Sequence, residues 1–137
     1  MAVQSSGSGM ADYQPGVCNI GTAERRKRRR VGYAGFAVAV AYVGVVVVAG
    51  LPDTALLATV APLFAGFLGA LQDRLRFCAG FAALARYDLS ETGGDVHRVT
   101  DADAVRRDRR RAVQIVAGAA LAAAALTAVL YLAAGLR

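Results

Sequence analysis

Three long apolar blocks without a charged residue, 31–50, 54–71 and 112–136, alternate with polar and strongly basic segments. Twenty helical residues rise about 30 Å, the thickness of a bilayer core, so the blocks predict transmembrane helices. The valine-rich stretch 45–48 favours a strand in water. In lipid a lone strand leaves its backbone unpaired, and a helix is expected. Leu51-Pro52-Asp53 is too short for anything but a turn, which makes the first two spans an antiparallel hairpin. Asp53 or Thr54 is placed to cap the second helix, and Pro62 predicts a kink or a packed site.

The flanks divide differently. Residues 1–12, with Ser5, Ser6, Gly7, Ser8 and Gly9, predict a disordered tail. Residues 13–21 mix turn formers with Tyr13, Val17 and Ile20 and predict an ordered, docked loop. Thr22 is then placed to cap a helix carrying the basic run 25–30. Beyond the second span, 77–89 has helical spacing of apolar residues, but its uncharged core of nine residues is too short to cross. A helix lying at the interface or against the bundle is expected there. Residues 90–100 read as a polar loop broken at Gly93-Gly94. Thr100 or Asp101 then caps a helix of roughly 35 residues whose first third stands outside the membrane. The predicted fold is all-α and integral to the membrane. It comprises a cytoplasmic tail (1–30), a transmembrane hairpin (31–71), a cytoplasmic segment (72–111) and a third transmembrane helix (112–137).

Composition sharpens this picture. Of 137 residues, 56% are hydrophobic and 19% charged, against about 25% charged in an ordinary soluble domain, and the mean hydropathy is +0.43. The formal charge is +6, from 16 Lys+Arg against 10 Asp+Glu. Of those cations, six lie in the N-terminal tail and nine in 72–111. None lies in the turn after the first span, and Arg137 is alone at the C-terminus. The side carrying fifteen of them is expected to be cytoplasmic, with the C-terminus outside. Residues 1–23 contain no apolar stretch preceding a cleavage site, so the first span is expected to remain as an anchor.

Candidate chemistry is sparse. The spans hold no Asp, Glu, Lys, Arg or His, the groups that mark proton relays and ion paths. Their polar residues, Tyr33, Tyr42, Thr59, Gln114, Thr127 and Tyr131, suit interfaces and helix–helix hydrogen bonds. Ala65-x-x-x-Gly69 and Gly118-x-x-x-Ala122, with Ala125, fit the small-residue pattern of close helix packing, within the chain or against a partner. No phosphate-binding, nucleophile-elbow, metalloprotease or dinucleotide motif is present, and no enzyme activity or cofactor is expected. Arg25, Arg26, Lys27, Arg28, Arg106, Arg107, Arg109 and Arg110 border spans and lack interleaved aromatics. They are expected to meet lipid headgroups rather than nucleic acid.

Cys18, in the docked loop, and Cys78, just after the second span, fall on the same side of the membrane as His97. The plain reading is two separate reduced thiols and a solvated imidazole. A dithiol pair, or a metal site using Cys18, Cys78 and His97 with a carboxylate such as Asp95, stands as the alternative.

The segments Gln14-Pro15-Gly16-Val17-Cys18-Asn19-Ile20-Gly21, Glu24-Arg25-Arg26 and Arg76-Phe77-Cys78 with Phe81 resemble landmarks of small multi-pass prokaryotic membrane proteins. The Arg/Ala/Val/Asp bias is similar to that of high-GC prokaryotes, haloarchaea among them. The resemblance implies that the Cys18 loop and the Cys78 segment act together at the cytoplasmic face. The function expected is structural or accessory, with membrane lipids and either further copies of the chain or a larger membrane protein as partners.

Overall fold

The computed structural model describes residues 13–137; the tail expected over 1–12 lies outside them. The architecture is all-α, with three helices long and apolar enough to cross a membrane. Helix α1 spans Thr22–Val48. A 3-10 turn, Asp53–Thr59, leads into α2, Val60–Leu75. One short helical turn, α3 (Ala79–Ala83), and a two-stranded ribbon, β1 (Arg86–Tyr87) with β2 (His97–Arg98), precede α4, Ala102–Ala134. The ribbon is antiparallel, pairing Arg86 with Arg98 and Tyr87 with His97.

Several local expectations give way to tertiary context. The first helix begins at Thr22, with its N-cap at Gly21 and no side chain capping it. It runs unbroken through the basic stretch because Glu24, in its first turn, neutralises Lys27 and Arg28 one turn on, at 2.5 and 3.2 Å. Pro52 occupies the cap position of the 3-10 turn, without a side-chain cap from Asp53 or Thr54. Pro62 falls in the first turn of α2 and marks a packed site, its carbonyl 2.8 Å from where a Cβ on Gly35 of α1 would stand. The helix predicted over 77–89 is only one turn long. Ala85 adopts a left-handed conformation (φ 57°) that diverts the chain into β1. Asp101, by contrast, caps α4 as expected, its carboxylate accepting the Ala104 N–H at 3.0 Å.

Helix α2 occupies the middle of the bundle, packing on α1 along one side and on α4 along the other. Its contact with α1 is a glycine crossing. A Cβ on Gly35 would lie 2.5 Å from Gly66 N, and one on Gly69 would lie 2.5 Å from Gly32 N. The backbones touch because neither helix carries a side chain there. Towards α4, Ala39, Leu63 and Ala123 form one buried cluster, and Phe77, Ala82, Ala112 and Ile115 form another beneath α3. The buried stripe of α4 is Ala104, Asp108, Ala112, Ile115, Ala119, Ala123 and Thr127, at the three- and four-residue spacing of one helix face.

Candidate functional site

The polar residues converge at the arginine-rich end of the bundle, where 13–21, α3 and the ribbon form a cap. The loop 13–21 starts as a tight turn, with Cys18 N–H donating to Gln14 O at 2.9 Å. It continues past Asn19, whose backbone N–H donates to Arg76 O at 3.1 Å. Arg76 presents that carbonyl because it closes α2 in a left-handed conformation (φ 55°, ψ 40°). The fully buried Asn19 side chain then clasps Cys78. Its Nδ2 donates to Cys78 O at 3.0 Å, and Cys78 N–H donates to its Oδ1 at 2.7 Å. The docked loop and the Cys78 segment therefore meet through Asn19.

Cys78 itself is buried. Arg28 Nη2 donates to its sulfur at 2.9 Å, while the same guanidinium bonds Glu24 at 3.2 Å and lies 5.7 Å from the centre of the Phe81 ring. Cys18 is also buried, its thiol directed at Ile20 O, 3.7 Å away. Burial pushes its pKa upward, an effect that nearby Arg76 and Arg25 only partly offset. Both thiols are free. His97 sits apart from both in a ladder of rings. Tyr13 stacks on Tyr87 with centroids 4.4 Å apart, Tyr87 stacks on His97 at 5.3 Å, and His97 Nε2 pairs with Asp95 at 3.2 Å. Among the described residues no three His, Cys, Asp or Glu side chains come together as a group able to hold a metal.

Two buried carboxylates, Asp108 and Asp88, hold the cap in place. Asp108, fully buried on α4, accepts the Tyr13 hydroxyl at 2.5 Å and Gly16 N–H at 2.7 Å, so it ties the loop to the helix. Burial and this hydrogen bond both drive the Tyr13 pKa far above the usual tyrosine range. Asp88 accepts Ser90 N–H at 3.0 Å, Ser90 Oγ–H at 2.6 Å and Asp95 N–H at 3.2 Å. Burial opposes its ionisation, yet these donors outweigh it and hold its pKa below the usual carboxylate value. A signal for Asp108 did exist: it falls four residues from both Ala104 and Ala112, on the packing stripe. Asn19 carried no comparable signal.

The protein itself engages most of the cations expected at lipid headgroups. Arg25 bonds Asp73 at 3.1 Å, Arg26 bonds Glu91 O at 3.3 Å, and Lys27 and Arg28 bond Glu24. Arg106 pairs with Asp103, and Arg109 reaches Ala83 O at 3.3 Å. Arg107 and Arg110 instead line a cavity of about 250 Å³ with Arg111, Gln114, Pro15 and Gly16. Of the small residues, Gly69 lies in the α1–α2 crossing and Ala65 is half-buried beside it. Gly118 and Ala125 are exposed on α4, with Ala122 half-buried between them. The crossing depends equally on Gly32, Gly35 and Gly66. Their signal was a Gly-x-x-Gly repeat, 32/35 and 66/69, in both spans.

No protein-family profile, curated protein or solved structure matches the chain.

Proposed function

We propose that this chain is a small integral membrane protein of structural or accessory type. It packs against further copies of itself or a larger membrane protein, with its N-terminus cytoplasmic and its C-terminus outside. The observation that supports this reading is the uncovered face of α4. Gly118, Leu121, Ala125 and Leu132 lie exposed along a charge-free length of helix, and small residues there let a second helix approach closely. Purification from native membranes in mild detergent, with mass spectrometry of everything that co-elutes, tests it. A stoichiometric partner or a defined oligomer, lost on Gly118→Leu, is the expected result. A lone monomer overturns the proposal.

A second reading, a thiol redox protein using Cys18 and Cys78, is favoured by Asn19 joining the two segments and by Arg28 donating to the Cys78 sulfur. Under an added two-electron oxidant this reading requires a Cys18–Cys78 linkage, seen as the loss of two hydrogens in the intact mass. Independent alkylation of both thiols after oxidant would remove it.

A further inference from the structure

The cavity beside the first turns of α4 has the chemistry of a phosphate site. Arg107, Arg110, Arg111 and Gln114 stand three, four and seven residues apart on one helix face and line it together. Its other wall is the Pro15-Gly16 turn. That wall is built, not incidental. Gly16 has φ +72°, and a Cβ on it would come within 3.3 Å of Arg107 Cβ. Asp108 pins the turn in place from beneath. Both Asp108 oxygens are occupied by Tyr13 and Gly16, and no acidic side chain lines the cavity. Arg111 is half-buried, so its guanidinium is held with less freedom than that of a fully exposed arginine.

The position of the cavity narrows the ligand. Arg111 immediately precedes Ala112, where the charge-free stretch of α4 begins. The cavity therefore sits at the level where a helix leaves the hydrocarbon core and where phospholipid phosphates lie. Below it Val113 and Ala117 are exposed and apolar. We propose that the Arg107–Arg110–Arg111 cavity binds the phosphate of an anionic phospholipid, the guanidiniums taking its oxygens and the acyl chains running down α4 past Val113. The inference rests on the membrane placement of α4 and not on any partner.

The test is lipid retention by the full chain in native mass spectrometry from detergent, with phosphatidylglycerol or phosphatidylcholine added. Wild type is expected to retain one phosphatidylglycerol in preference to phosphatidylcholine. Arg110→Gln/Arg111→Gln should lower that retention about tenfold, as expected for losing two charge-assisted contacts. The control is Arg106→Gln/Arg109→Gln, which removes the same charge from cations bonded elsewhere on the protein and should leave retention within about twofold. Equal losses in both doubles, or none in either, would overturn the site in favour of a diffuse basic surface. If the first double fails to fold, Arg110→Gln alone, at an exposed position, carries the same comparison. Inorganic phosphate and soluble glycerophosphate form the other arm. Displacement of the lipid by either at equal concentration would overturn the lipid as the occupant. Retention is read on the chain alone, so a missing partner in the co-purification leaves this result untouched.

Discussion

Asp108 shows how one side chain can decide whether a loop belongs to the fold. It sits where the α4 stripe calls for an apolar residue, and it is accommodated because Tyr13 and Gly16 satisfy both of its oxygens. Asp108→Ala leaves two half-buried donors without their acceptor and should cost about 2 kcal/mol, measured by denaturant titration in detergent. The pH dependence follows from the shifted groups, Tyr13 with Cys18 on the alkaline side and Asp88 with Asp73 on the acid side. Tyr13 has a folded pKa raised above its ordinary value of 10.0, so its contribution is complete below that pH and declines as pH rises beyond it. Asp88 has a folded pKa below 3.8, so its contribution is complete above that value and is lost as pH falls through the folded pKa. Thermal unfolding across pH should therefore lose stability at both extremes. Tyr13→Phe should reduce the alkaline loss and Asp88→Asn the acid one, Cys18 and Asp73 retaining the remainder. The position of Asp108 was legible in the helical spacing. Its partners were not, because they lie 92 and 95 residues away in sequence.

At the scale of elements, the spans and the outward starts of α1 at Thr22 and of α4 at the Asp101 cap were legible, while the end of α2 and the extent of α3 were not. The absence of charge over 31–50, 54–71 and 112–136 carried the three helices, since only a helix satisfies its backbone in lipid. The extension of α2 beyond residue 71 to Leu75 accompanies pairings that no local window contains, Asp73 with Arg25 and Arg29 at 3.1 and 3.0 Å. The one-turn α3 escaped for a similar reason, since Ala85 holds its left-handed conformation while its carbonyl accepts Val99 N–H at 2.7 Å. Ala85→Gly removes the Cβ penalty of that conformation and should stabilise the cap by about 1 kcal/mol, visible as a raised melting temperature. The glycine crossing gives the opposite prediction. Gly35→Leu drives a side chain into the Gly66 backbone and should cost about 3 kcal/mol or more. Gly118→Leu, whose Cβ would meet only Leu71 at 3.9 Å, should change the stability of the single chain by less than about 0.5 kcal/mol. Detergent-denaturant unfolding of the two variants separates packing inside the chain from packing outside it.

For the whole molecule, charge asymmetry and architecture point the same way. The cap gathers nearly all the arginines at one end of the bundle, while the opposite end carries Arg137 paired with Asp53 at 3.1 Å. The proposed orientation predicts that a cysteine at Lys27, an exposed position, reacts with an impermeant reagent only after the membrane is opened. A cysteine at Leu51 should react in intact cells. The reverse pattern would invert the topology. Native Cys18 is a poor probe for this purpose, because it is buried with a raised pKa.

Helix α4 runs without interruption from the Asp101 cap to Ala134, 33 residues or about 50 Å by helical rise. It therefore outruns the hydrocarbon core by some 20 Å. A rod of this kind has no hinge in which to absorb a tilt. A tilt imposed at the cap would therefore reach the far end, where Arg137 bonds Asp53 at 3.1 Å. Spin labels at Arg106 and Leu136 should keep one fixed separation with and without anionic lipid; a lipid-dependent change would mean that α4 bends.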